Sequence, residues 1–185
     1  MEILKKAYEI IDQKRDEIIS TLQQFIAIPS VSVRTPGDKP FGEEVDRAFR
    51  FMLEKAQNDG FETFNADNYG GHIDFRGTGG EVMGILGHID VVPEGRDWDY
   101  EPYSATVSDD RIYGRGAIDD KGPVIASYYA MKALKSAGFK PDKTVRLILG
   151  LDEETDWEGM EYYFTKARKP DFGFTPDGEF PAIHG

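Results

Sequence analysis

Residues 145–154 read VRLILGLDEE. Val145 to Leu151 is apolar except for Arg146, the composition of a strand buried on both faces with one residue near its edge. The run ends abruptly in three acids, Asp152, Glu153 and Glu154. Upstream, Val82-Met83-Gly84-Ile85-Leu86-Gly87 runs the same way into His88-Ile89-Asp90, and Phe172–Thr175 runs into Pro176-Asp177-Gly178-Glu179. Between them, Gly114-Arg115-Gly116-Ala117-Ile118-Asp119-Asp120-Lys121-Gly122 leads into a helix start. Open α/β sheets bind ligands outside the carboxyl ends of their strands, so these polar segments could converge on one site.

The intervening elements predict such a sheet. Leu4, Tyr8, Ile11, Ile18, Leu22 and Phe25 recur at helical spacings and predict one amphipathic helix ending before Pro29. Val45, Phe49, Met52, Leu53 and Ala56 mark a second helix, stopped at Gly60. The loop between them, PSVSVRTPGDKPFG, is rich in Ser, Pro and Gly. Strand-like runs follow at Phe61–Phe64, Ile73–Phe75 and Val82–Leu86, and the turn Gly77–Gly80 predicts a hairpin joining the last two. A second hairpin is expected around Ser108-Asp109-Asp110. Pro123 to Leu134 reads as a helix with proline in its first turn and Gly138 past its end, and a further helix covers about Gly159 to Ala167. Strands alternating with helices predict an α/β fold, a mixed, mostly parallel sheet flanked by helices.

Four letters, GHID, occur twice, at Gly71–Asp74 and Gly87–Asp90, and hold two of the three histidines. The first copy opens a strand, so His72 reads as a structural or surface histidine. The second closes a buried strand beside the acidic segments.

Composition narrows the chemistry. The chain has no cysteine, so a metal must be held by His, Asp and Glu. A net charge of −12, from 22 basic and 34 acidic residues, argues against nucleic acid as a partner. The acidity serves solubility, or carboxylates gathered around divalent cations. No apolar run reaches the length of about 18 residues that a membrane span needs. The opening residues MEILKKAYEIIDQKRDEIIS are charged throughout and show no signal-peptide core, which with the missing cysteine suits a cytoplasmic location.

Taken in order, GHIDVVPEGRDW, YGRGAIDDKGP, LDEETDW and TPDGEFP resemble the dinuclear zinc exopeptidase family of aminoacylases, carboxypeptidase-like enzymes, succinyl-diaminopimelate desuccinylase and carnosinase-type dipeptidases. LDEETDWEGMEYYF and FTPDGEFPAIHG look most like the bacterial PepV-like Xaa-His dipeptidases. The resemblance runs from IAIPSVS (26–32) to the last residues. It implies His88 and Asp177 as ligands of a first zinc, Asp119 as the carboxylate bridging two metals and Glu154 as a ligand of the second. Glu153 becomes the general base, and Asp90 the carboxylate that orients His88. Asp120 receives no role. The cofactor implied is Zn²⁺, two per complete site, with Mn²⁺ or Co²⁺ as substitutes, and the partner is a small dipeptide.

Residues 1–185 would then be the N-terminal part of the catalytic domain. The family's lid and its returning C-terminal segment, which carries the last histidine ligand, would be missing, leaving this chain weakly active or inactive. Two other functions stay open at this stage: a deacylase of N-acyl amino acids or N-succinyl-diaminopimelate, which shares the metal and base motifs, and a non-catalytic metal-binding or interaction domain. A carboxylate-only glycosidase would leave His88 and Asp119 without purpose. Trp98, Tyr100 and Tyr103 either line a substrate cleft or pack a loop, Arg115 either pairs with a site carboxylate or forms a structural bridge, and His184 matches no ligand position.

Overall fold

The computed structural model describes residues 2–178. The Glu179 end of the fourth motif and His184 lie outside the described residues. In chain order the elements are α1 (Glu2–Gln13), α2 (Arg15–Ile26), α3 (Glu43–Asn58), β1 (Glu62–Asn65), β2 (Gly71–Phe75), β3 (Val82–His88), β4 (Thr106–Ser108), β5 (Arg111–Tyr113), α4 (Lys121–Ala137), β6 (Thr144–Gly150), α5 (Glu158–Lys166) and β7 (Phe172–Phe174).

Five strands form one sheet in the order β1-β2-β6-β3-β7. β6 runs parallel to β3 and β3 parallel to β7, while β2 is antiparallel to both β1 and β6. This is the mixed sheet expected, flanked by helices. Helices α3 and α4 cover one face around Phe49, Met52, Tyr128 and Leu147, and α5 covers the other through Ile148, Met160 and Tyr163. The helix punctuation follows the residues. Gly138 closes α4 in the left-handed conformation (φ +90°), its N–H reaching back to Lys135 O. The β4–β5 hairpin turns on Asp109 and Asp110, both at positive φ.

Two expectations fail. The first helix is two, broken at Lys14 (φ −99°, ψ 9°). The break re-aims the chain: Phe25 and Ile26 of α2 are buried, while α1 packs through Ala7 against Ala133 and Ala137 of α4. Leu4 and Tyr8, expected on the buried stripe, are exposed.

The predicted β2–β3 hairpin does not form either. β6 inserts between the two strands and pairs with both. The Gly77–Gly80 turn is instead pinned to the approach to β6, where Thr78 N–H donates to Pro141 O and Gly77 N–H to Thr144 Oγ1. β6 is therefore central, and Arg146 lies inside the sheet rather than near an edge. Its guanidinium grips Asp74 of β2 with two bonds of 2.8 and 2.9 Å, both side chains buried.

His72, in the same GHID copy, is buried with Nδ1 2.7 Å from the Tyr163 hydroxyl. It is structural, as expected. Burial pushes its imidazole down to about 4, with Asp74 opposing and Arg146 and Arg76 adding. An unfolded chain takes up a proton on this histidine near pH 6.5, the folded one only near 4, so the unfolded state binds more protons in between. Stability from this group is complete above about pH 6.5 and falls as pH drops through about 4, by up to about 3 kcal/mol. His72→Gln should flatten that part of a urea-denaturation profile against pH; an unchanged slope would place the acid sensitivity elsewhere.

Candidate metal centre

β3, β6 and β7 all deliver their carboxyl ends to one rim of the sheet, and the N-terminus of α4 joins them there. His88 is the last residue of β3. Its Nδ1 lies 3.1 Å from the Asp90 carbonyl oxygen and 3.3 Å from Asp90 Oδ1. Its Nε2 faces outward, 2.9 Å from Asp119 Oδ1 and 3.6 Å from Asp177 Oδ2. Asp90 is wholly buried, and its carboxylate accepts the backbone N–H of Glu153 and of Glu154, each at 3.1 Å. One carboxylate thus orients the imidazole and fixes the turn that carries both glutamates.

Two overlapping triads result. Donor atoms of His88, Glu153 and Asp177 lie within 4.8 Å of one another, and so do those of His88, Asp119 and Glu154. All five residues expected to touch metal or water are gathered at one place, with Asp90 behind them. Glu153, expected as a base, stands in a donor triad with His88 and Asp177.

The electrostatics of the cluster suit a cation. Burial would lower His88, but its hydrogen bond to Asp90 and the charges of Asp90, Asp120 and Asp119 prevail and push it up to about 9. Burial raises Glu153, with Asp177, Asp90 and Asp119 adding and His88 opposing. Glu154 is raised by burial and then by Asp119. The carboxylates burden one another with negative charge that a divalent cation would neutralise. With Asp90 holding Nδ1, the other ring nitrogen is the one presented to a metal. Imidazole and carboxylate donors suit a divalent cation.

Asp120, given no role from sequence, is wholly buried beneath the centre. Its Oδ2 accepts the His88 backbone N–H at 3.1 Å. Burial pushes this carboxyl up to about 7, with His88 opposing and Asp177 and Asp119 adding. Nothing in a DDKG string separates an outward Asp119 from an inward Asp120; that depends on Gly87, where a Cβ would stand 2.6 Å from Asp120 Oδ2. Trp157 also escapes a reading of the sequence. Its indole lies over Gly150, where a Cβ would meet it at 2.3 Å, and it walls a recess of about 190 Å³ with His88, Glu153 and Asp177.

The aromatic loop packs on itself. Trp98 Nε1 donates to Glu94 O, Tyr103 OH donates to Glu94 Oε2, and Tyr100 lies against Tyr113. Arg115 stacks over Trp98 with its guanidinium carbon 5.4 Å from the ring centroid, so it serves the loop rather than a site carboxylate.

An imidazole among carboxylates at the carboxyl rim of a mixed sheet is an arrangement that can hold divalent metal. The chain belongs to the peptidase family M20/M25/M40, whose pattern residues 84–182 match. Relatives in Bacillus subtilis (strain 168) and Staphylococcus aureus (strain COL) carry the name "Putative dipeptidase", YtjP and SACOL1801 respectively. YtjP is 45% identical over 175 residues, which is 93% of this chain and 37% of that protein. SACOL1801 is 43% identical over 179 residues, 96% of this chain and 38% of that one. Human carnosine dipeptidase 1 superposes with a TM-score of 0.84 at 26% identity, over 97% of this chain and 42% of its own. The chain therefore spans less than half the length of these relatives.

Proposed function

We propose that this chain holds the divalent cations of a cytoplasmic dipeptidase that hydrolyses the amide bond of Xaa-His or β-Ala dipeptides. The observation that carries this is the convergence of His88, Asp119, Glu153, Glu154 and Asp177 in two donor triads that share His88. The dipeptidase names of the relatives support the choice of substrate class.

His88, Asp119 and Asp177 would hold one zinc, and Asp119 and Glu154 a second. Divalent cations held there would supply an activated water and polarise the scissile carbonyl. Glu153 would accept the water proton and hand it to the leaving amine, a role helped by its raised carboxyl. Asp90 keeps the imidazole and both glutamates in register through the bonds described above. Residues 1–185 act as the N-terminal part of the catalytic domain, with further ligands and substrate-binding groups for the second cation supplied from outside them. On that account the isolated chain turns over weakly.

Elemental analysis after zinc loading, followed by a substrate panel, tests this. Tight uptake of zinc with hydrolysis confined to dipeptides is expected from the complete enzyme. A complete enzyme that retains no divalent cation would sink the metal centre. Preference for N-succinyl-diaminopimelate would make it a deacylase. If the isolated chain cleaves β-Ala-His at about 10 s⁻¹, an ordinary enzyme rate, no ligand from outside is needed.

A further inference from the structure

Residues 25–31, the last turn of α2 and the loop Ala27-Ile28-Pro29-Ser30-Val31, make no hydrogen bond or ion pair to either triad among the described residues, yet they bond to both segments that carry ligands. On one side the Lys121 ammonium donates to Phe25 O at 3.0 Å and to Ile28 O at 2.6 Å, and lies 5.1 Å over the Phe25 ring. Lys121 is wholly buried and stands two residues after Asp119. On the other side Ser30, also wholly buried, donates its hydroxyl to Ile89 O at 2.6 Å, and Val91 N–H donates to Ser30 O at 3.0 Å. Ile89 is the residue between His88 and Asp90. The two sides meet at one atom, because Ile28 O accepts from both Lys121 Nζ and Ser30 N–H.

Helix ends are commonly closed by a left-handed glycine or asparagine. Here Ala27 stays right-handed (φ −63°), and carbonyls at the end of α2 are met by a lysine from the metal-ligand segment. A buried ammonium is costly unless its donors are satisfied, and these carbonyls take two of its three at the negative end of a helix dipole, although burial still pushes Lys121 down to about 7. The chain thereby ties the spacing of His88 and Asp119 to a rigid helix end.

We infer that residues 25–31 are a brace for the metal centre, with Ser30 and Lys121 as positioning residues that set the distance between the His88 and Asp119 segments. This rests on the metal-centre assignment above. Groups that orient metal ligands are worth about 10–100-fold in affinity, and the same range is expected here.

The test is zinc affinity, by competition with a chromogenic chelator, in the complete enzyme that carries this chain, as wild type and as Ser30→Ala, Lys121→Met and Thr21→Val, with a metal-free thermal melt of each. Thr21 is the control: its hydroxyl makes a buried 2.8 Å bond to Tyr129 OH between α2 and α4, away from both ligand segments. Ser30→Ala and Lys121→Met should bind zinc at least tenfold more weakly, whereas Thr21→Val should melt earlier and bind as wild type. If Ser30→Ala lowers the melting temperature but binds zinc within twofold of wild type, it is only structural and the brace is overturned. Should Lys121→Met not fold, Ser30→Ala decides. Amide exchange on the wild-type complete enzyme tests the same coupling without variants: zinc should slow exchange at Ser30 more than in α3, and unchanged exchange at Ser30 overturns the brace. A wild-type complete enzyme that takes up no zinc overturns the metal centre and the brace together, while uptake with unaffected variants overturns the brace alone.

Discussion

Replacing Glu153 with glutamine in the complete enzyme that carries this chain is expected to leave zinc uptake in place and to cut dipeptide hydrolysis by about 10²–10⁴-fold. The amide fills the same space, and the backbone N–H of residue 153 still donates to Asp90. What goes, on the proposed mechanism, is the proton acceptor. Burial and the nearby Asp177, Asp90 and Asp119 raise the Glu153 carboxyl, with His88 opposing, which brings it closer to the pH at which a general base works. The measurement is kcat on a β-Ala-His dipeptide beside metal analysis of the same sample. Glu153 also lies in a donor triad with His88 and Asp177. Loss of one zinc along with activity would therefore make it a ligand, and unchanged kcat would remove it from the chemistry.

The second large effect concerns stability. Arg146→Met should cost about 3–5 kcal/mol in urea denaturation, because it leaves the Asp74 carboxylate buried without its bidentate partner. Arg76, 3.6 Å from Asp74 Oδ2, holds the loss toward the lower figure. Adding Asp74→Leu should restore most of the stability, since replacing both members of a buried pair with apolar groups is often neutral. A double variant no more stable than Arg146→Met would show that the side chains matter for shape rather than charge.

Both effects trace to the GHID repeat. Its copies have the same residues and the same strand preference, so local pattern alone separates them weakly. Context does separate them: Gly87–Asp90 ends an apolar run beside acidic motifs, and the structure gathers those motifs around His88. The purpose of the first copy was not legible. Asp74 is a buried partner only because β6 inserts beside β2 and sets Arg146 opposite it. That pairing joins residues about seventy positions apart, and no turn residue announces it. The GTGG turn pointed instead to the nearer partner, β3, and was wrong for that reason.

The sequence by itself determined most of the strands and helices, the class of sheet and the donor types at its carboxyl rim. Hydrophobic period, proline and glycine act locally and are written in the chain. Tertiary structure alone decided the strand order, the break at Lys14, and the burial of Asp120 beneath the centre. It also decided that the lysine beside Asp120 closes a helix from another part of the fold. These outcomes depend on which surfaces meet: β6 claiming the place next to β2, α1 lying on α4 through Ala7, and Gly87 leaving room for Asp120. Burial then turns ordinary polar side chains into fixed ones, because a buried donor or charge without a partner costs a large fraction of a fold's small net stability.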